Sequence, residues 1–302
     1  TGLKIDEYLA GRDDIEVLDI DEAVRKDPEA RLARMKAADI SFLCLPDEES
    51  AEIAAVAPDS VRIIDASTKH RTNPAWVYGM PELTPESRAK IASSNRVALP
   101  GCHATGFILL VRPLIDAKAV SPEYPFVAHS ITGYSGGGKT MIAAYKAYEE
   151  NASETLLSAP RLYALSQNHK HLPEMQVMTG ITEPPIFTPH VADYYCGMSV
   201  VVPLHRRLLT QGTSVTDLRK IIEDRYRQEA LISVRPEGED PESGYLSAMG
   251  KSGRNDLEIF ILGGEDRILL IARFDNLGKG ASGAGIQCMN LMLNIEEGKG
   301  LL

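Results

Sequence analysis

Cys102 stands in the stretch ALPGCHATGF (98–107), directly after a Pro-Gly pair and at the head of an apolar helical pattern, HATGFILLVRPLIDA, that is broken by Pro113. A thiol at a helix N-terminus is stabilised as thiolate by the unpaired N–H groups and by the helix dipole. The same N–H groups can hold an oxyanion on a carbonyl under attack. Together these properties describe a covalent nucleophile for acyl chemistry. The remaining cysteines differ from it. Cys44 lies mid-strand in SFLCLP and Cys288 on a small-residue helix, so both read as core, while DYYCGM does not class Cys196 either way. The four cysteines form no Cys-x-x-Cys pair and no metal spacing, which predicts free thiols rather than a disulfide framework or a zinc site.

Elements must position that thiol, and the chain supplies two kinds. Over the first hundred residues β-type runs alternate with helical ones: IEVLDI (15–20), a helix with a Pro interruption, DISFLCLP (39–46), DEESAEIAAVAP, then VRIIDAS (61–67). This rhythm predicts a doubly wound parallel α/β sheet. In such sheets ligands sit at the carboxyl ends of strands. The expected cofactor rim is therefore the turn after Ile20, the turn around Leu45 to Asp47 and the turn around Ala66 to Arg71, with Leu45, Pro46 and Ser67 as its contact candidates. From about Pro125 the strands PFVAHSITG, GMSVVVPLH, LEIFILGG and RILLIARFD alternate less strictly with helices, which predicts a second, α+β domain with a mixed or antiparallel sheet. The expected division is 1–103 with 279–302 for the dinucleotide-binding domain and 104–278 for the second, α+β domain.

Glycines mark two further segments. GYSGGGK (133–139) lacks the Gly-Lys-Ser/Thr ending of a P-loop, so it is read as a loop approaching nicotinamide or substrate, with Ser135 and Gly136 nearest. NLGKGASGAGIQ places small residues where backbone can approach a neighbour or a ligand, and Asn276 and Gly280 are its cofactor-side candidates. At the N-terminus, Thr1-Gly2-Leu3 reads as the tail of a Gly-rich turn whose helix N-terminus holds a pyrophosphate, with Gly2 in contact. The expectation is a further upstream strand and turn of about a dozen residues. Asp19 and Asp21 suit a ribose hydroxyl and NAD, whereas Arg25 and Lys26 suit a 2′-phosphate and NADP, so these residues alone leave the cofactor open.

The 302 residues carry a net charge of −10 and are 44% hydrophobic. No segment gathers the Lys and Arg that a nucleic-acid surface needs. No apolar run approaches the ~20 residues that cross a bilayer, and residues 1–20 lack a signal-peptide layout. The expectation is a cytoplasmic protein with small-molecule partners, bound to neither nucleic acid nor membrane.

Six motifs, LPGCHATG, ITGYSGGGK, NHKHLPEMQ, PIFTPH, DASTKHRTNPAWVYGMPEL and DNLGKGASGAGIQCMNLML, together resemble the N-acetyl-gamma-glutamyl-phosphate reductases, especially their shorter type, over nearly the whole chain. The wider group includes aspartate-semialdehyde dehydrogenase. The resemblance implies NADPH-dependent reduction of an acyl phosphate to N-acetylglutamate semialdehyde in arginine biosynthesis, with release of inorganic phosphate, by a homo-oligomer (dimer or tetramer). Cys102 matches the family nucleophile. His169 and His171 match its His-x-His-x-Pro-Glu segment, with His169 as the expected acid/base and His190 as its rival. The family often has Asn-Pro-Gly-Cys-Tyr, where this chain has Leu99 and His103. His103 is not expected to act as a base, because neighbouring helical residues point about 100° apart. The alternative readings are aspartate-semialdehyde dehydrogenase, a non-catalytic dinucleotide-binding regulatory protein, and a thiol hydrolase.

Overall fold

The structure is a computed structural model that describes residues 2–151 and 155–302. Thr1, part of the expected Gly-rich turn, lies outside the described residues. The chain folds as two compact units, one built from residues up to Pro100 together with Ala281–Leu302, the other from Gly101–Gly280.

In the first unit the elements are α1 (Gly2–Ala10), α2 (Pro28–Ala37), β1 (Ser41–Leu43), α3 (Asp47–Val56), β2 (Ile63–Asp65), β3 (Val77–Tyr78), α4 (Ser87–Ser93) and β4 (Arg96–Ala98). The four strands make one parallel sheet in the order β1-β2-β4-β3. Burial on both faces is what their short Val/Ile runs require. Leu43, Ile53, Val61 and Ile63 form part of the core, with Met35 of α2.

Two expectations are corrected here. Residues 15–20 form no strand despite their β-type sequence. A β pattern becomes a strand only when a neighbour completes its ladder, and this run has no ladder partner among the described residues. The helix expected across 21–38 is confined to α2. Pro28 takes its first position and Asp27 caps it, accepting the Glu29 N–H at 3.1 Å.

The second unit contains α5 (Cys102–Asp116), β5 (Val127–Gly133), α6 (Gly138–Asn151), β6 (Arg161–Leu162), α7 (Leu172–Thr179), β7 (Ile186–Ala192), β8 (Met198–His205), α8 (Val215–Tyr226), β9 (Ile232–Val234), β10 (Leu257–Gly263) and β11 (Arg267–Phe274). Its strands form a mixed sheet in the order β6-β7-β5-β8-β11-β10-β9, with β5/β7 and β9/β10 parallel and the other pairs antiparallel. The chain then returns to the first unit in α9 (Gly283–Met292).

Side chains alternate across this sheet. Ala128, Ser130, Val200, Val202, Leu270 and Phe274 point to one face, are fully buried, and lie on the side against which α5 packs. Gly106 makes that approach possible: a Cβ there would stand 2.7 Å from Val200 Cγ2. The Tyr226 hydroxyl of α8 donates to the Leu109 carbonyl of α5 at 2.6 Å. The opposite face carries Val127, Ile131, Val201 and Pro203, only partly covered, with Leu162 43%, Ile186 61% and Leu269 38% exposed.

GYSGGGK is not the loop expected from its glycines. Tyr134–Gly137 is a 3-10 turn that runs straight into α6, and Tyr134 stacks on Tyr145 at 4.4 Å. The turn is held because Gly133 packs on the backbone of Tyr194 and Tyr195, where a Cβ would come within 2.6 Å.

Candidate functional site

Cys102 is the first residue of α5, with Gly101 as its extended N-cap (φ −79°, ψ 147°). The Gly101 N–H donates to Glu174 Oε2 at 3.0 Å, and Glu174 is buried in the first turn of α7. Thr105 secures the same turn: its N–H and its hydroxyl both donate to the Gly101 carbonyl. The thiol is partly exposed. Gly280 lies against it, since a Cβ at 280 would stand 2.9 Å from Cys102 Cβ. The position expected to touch cofactor is thus one where backbone passes the sulfur-bearing residue.

Around this turn the second unit gathers aromatic and imidazole rings. His103 packs edge-on to His169 at 5.6 Å between centroids and to Phe187 at 5.3 Å, and lies 5.5 Å from His171. His169 reaches His171 at 4.6 Å and Tyr163 at 5.7 Å. The His171 N–H donates to His169 Nδ1 at 3.1 Å, so in the neutral ring the proton sits on Nε2. Burial, reinforced by His169, pushes His103 down to about 3, and the ring is neutral near pH 7. Burial and the Cys102 sulfur both oppose ionisation of Tyr163. His190 lies elsewhere. It shares the open face of the sheet with His129, 4.8 Å away, and its Nδ1 faces the Thr188 carbonyl at 3.2 Å.

Ser135 and Asn276 are brought together: Asn276 Nδ2 donates to Ser135 Oγ at 2.9 Å, and Asn276 Oδ1 accepts the Gly197 N–H at 2.9 Å. A Cβ at Gly136 would lie 3.5 Å from Asn276 Nδ2. Both side chains are buried, and their hydrogen bonds join the Tyr134–Gly137 turn to the segment after β11.

Gly2, Leu45, Pro46 and Ser67 belong to the first unit. Gly2 opens α1, where a Cβ would stand 3.3 Å from Cys44 Cβ, so α1 starts hard against the end of β1. Leu45 lines a cavity of about 1100 Å³ whose wall also includes Asp19, Ile20, Arg25, Lys26 and Arg31. Pro46 is the N-cap of α3, whose first turn holds Asp47, Glu48 and Glu49. Those carboxylates oppose an anion at that helix terminus. The Ser67 hydroxyl donates to Asp65 Oδ2 at 2.6 Å and its N–H to Asp65 Oδ1 at 3.0 Å, which folds the turn after β2 back on its own strand. A cavity whose wall carries Asp19 together with Arg25, Lys26 and Arg31 offers acceptors for ribose hydroxyls and cations for phosphate, which fits a dinucleotide.

Sequence reasoning missed Tyr163 and Glu174. Nothing local marks Tyr163. Glu174 had a signal, because a Glu just after Pro173 in the first turn of a helix is placed to accept backbone N–H groups.

Family models add to this geometry. Residues 4–91 match the semialdehyde dehydrogenase NAD binding domain, and residues 102–276 match the semialdehyde dehydrogenase dimerisation domain. The chain belongs to the semialdehyde dehydrogenase family, and it is an oxidoreductase with a nicotinamide-dinucleotide domain. Its curated relatives carry a narrower name. It is 40% identical, over 99% of this chain and 96% of that protein, to N-acetyl-gamma-glutamyl-phosphate reductase 2 of Pseudomonas putida. It is 41% identical, over 97% of this chain and 95% of that protein, to N-acetyl-gamma-glutamyl-phosphate reductase of Brucella suis. Among solved structures, aspartate semialdehyde dehydrogenase II of Vibrio cholerae superposes with a TM-score of 0.67 at 18% identity, covering 86% of this chain and 81% of that one, which shows a shared fold. Among the described residues no group of side chains could hold a metal ion, and no helix is long and apolar enough to cross a membrane.

Proposed function

We propose that the chain reduces N-acetyl-gamma-glutamyl phosphate to N-acetylglutamate semialdehyde with NADPH, in arginine biosynthesis in the cytoplasm, through a thioester on Cys102. The observation that carries this reading is Cys102 at the first turn of α5, fixed by Glu174 and Gly280 and bordered by the His103–Tyr163–His169 cluster.

The Cys102 thiolate attacks the acyl carbon, and the bond from that carbon to the phosphate oxygen breaks, with phosphate leaving as the anion. The N–H groups of the first turn of α5 face the oxygen that gains charge. The dinucleotide, when bound, supplies a hydride. As the thioester carbon gains it, the C=O π electrons pass to the oxygen, which takes a proton from His169 and becomes the hydroxyl of a thiohemiacetal. The thiohemiacetal on Cys102 then collapses: its hydroxyl proton is taken up, the C–S bond breaks, and the thiolate returns. His169 is the acid/base. The residues proposed for the dinucleotide in the first unit are Gly2, Leu45, Pro46 and Ser67. Ser135, Gly136, Asn276 and Gly280 are the second unit's own candidates.

The direct test is phosphate-dependent reduction of NADP by N-acetylglutamate semialdehyde, compared with aspartate semialdehyde. Preference for the acetylated substrate is expected. Turnover of aspartate semialdehyde alone makes the chain an aspartate-semialdehyde dehydrogenase, and turnover of neither, with dinucleotide binding intact, leaves the regulatory reading.

NADP rather than NAD is supported by Arg25, Lys26 and Arg31 along the wall of the cavity in the first unit. Replacing Arg25 and Lys26 together with alanine is expected to raise KM for NADP by about tenfold or more while leaving KM for NAD within about twofold, as loss of a charge-assisted contact to one phosphate implies. Equal effects on both cofactors in steady-state kinetics would refute the assignment.

We read the protein as a homo-oligomer, dimer or tetramer, in which a second copy covers the open face of the seven-stranded sheet. That face holds Leu162, Ile186 and Leu269 exposed within the span that matches a dimerisation domain. Leu269→Arg is expected to yield monomers by light scattering, because an unpaired guanidinium cannot be buried there cheaply. An unchanged mass would move the interface to another surface.

A further inference from the structure

The buried hydrogen bonds behind Cys102 form a directed chain. The Ser130 hydroxyl donates to the Ser199 carbonyl at 3.1 Å, an acceptor that has no proton to give. With its only proton used, Ser130 Oγ accepts from His103 Nδ1, 2.8 Å away. The neutral His103 ring therefore carries its proton on Nδ1 and a lone pair on Nε2. Tyr163 Oη lies 2.6 Å from that nitrogen, so the phenol donates inward to His103. What Tyr163 presents away from His103 is then an oxygen lone pair, on a ring that lies 5.7 Å from that of His169.

The geometry points to His103 as a positioning residue, a neutral, Nδ1-protonated ring that turns the Tyr163 hydroxyl so that its oxygen serves as a hydrogen-bond acceptor within the ring cluster that borders Cys102. This rests on the thioester reading above. There, an acceptor held in the cluster takes a hydrogen bond from the thiohemiacetal hydroxyl and orients it, while His169 removes its proton before collapse. No proton leaves Tyr163 in this role, in keeping with the burial that opposes its ionisation. The ring that replaces the tyrosine common after the family cysteine thus acts through a second aromatic residue 60 positions along the chain.

Substitutions at 103 separate the two ring nitrogens. In His103→Gln the amide oxygen can reach the Nε2 position and accept from Tyr163. In His103→Asn the shorter amide can replace Nδ1 but leaves Tyr163 without its acceptor. Expected in the full-length enzyme are losses of about tenfold or more in kcat with KM within about twofold for His103→Asn and Tyr163→Phe, a double variant no worse than either single one, and substantial recovery in His103→Gln. A Gln variant as slow as the Asn variant, or fully additive losses in the double variant, overturns the proposal. The ¹⁵N shifts of the His103 ring provide a test independent of turnover. They are expected to show a protonated Nδ1 and a bare Nε2, unchanged between about pH 5 and 8. An Nε2–H signal or titration in that range overturns the assignment even if the substrate proves different. The expected NMR pattern in an enzyme inactive on the acetylated substrate would instead retain the hydrogen-bond chain and reject the proposed reaction.

Discussion

Cys102→Ser is expected to abolish turnover, with a fall of more than about a thousandfold, while dinucleotide affinity stays within about twofold. The reasoning starts from acidity. A thiol at a helix N-terminus ionises readily near neutral pH, and a serine hydroxyl in the same place does not. It continues with the leaving group, because collapse of the thiohemiacetal expels a thiolate, whereas the serine equivalent would have to expel a far more basic alkoxide. The substitution keeps the Gly101 turn, the Glu174 bond and the small volume beside Gly280, so the fold has no reason to change. The proposed dinucleotide contacts are at other residues. Initial rates together with cofactor fluorescence titration check the result. A serine variant that retains more than a few per cent of the rate excludes a covalent thioester.

His169→Asn should cost about a hundredfold or more in kcat, the usual range for a removed general acid/base. Asparagine is the informative replacement. Its side-chain oxygen can still accept the His171 N–H that His169 Nδ1 accepts now at 3.1 Å, so the loop keeps its hydrogen bond and only the Nε2 function disappears. The same change at His190 is expected to alter kcat by no more than a few fold, since His190 pairs with His129 on the face of the sheet opposite Ser130 and His103. Steady-state rates across a pH series decide it. The wild-type profile should contain an imidazole limb that the His169 variant lacks, and the reverse ranking of the two variants would transfer the acid/base role to His190.

The parts of this architecture that local pattern dictates were legible in the sequence. The alternation of Val/Ile runs with helices marks the parallel sheet of the first unit, and the Pro100-Gly101 pair followed by an apolar helix marks the start of α5. What depends on partners was not. Residues 15–20 look like a strand because hydrophobic pattern reports the capacity to pair, whereas a ladder needs a neighbour in place. GYSGGGK looks like a loop because glycine frequency carries no information about Gly133 packing on the Tyr194 and Tyr195 backbone. The hydrogen bond from Tyr163 to His103 joins two elements by tertiary packing alone, and no spacing rule announces it. A helical wheel separates His103 from Cys102 by about 100° around α5, and the His103 ring is buried against Ser130, 2.8 Å from its hydroxyl.

Gly106 and Gly280 help to set Cys102 through close backbone approach. A side chain at 106 would strike Val200, and one at 280 would strike Cys102 itself. The place of the sulfur is therefore a dimension of the scaffold, held by these close approaches and by the Glu174 and Thr105 bonds to Gly101. Under the thioester reading, a lineage built on this scaffold acquires a new substrate by recutting the wall around the thiol rather than by moving the thiol, and each acyl phosphate must be brought to the same point.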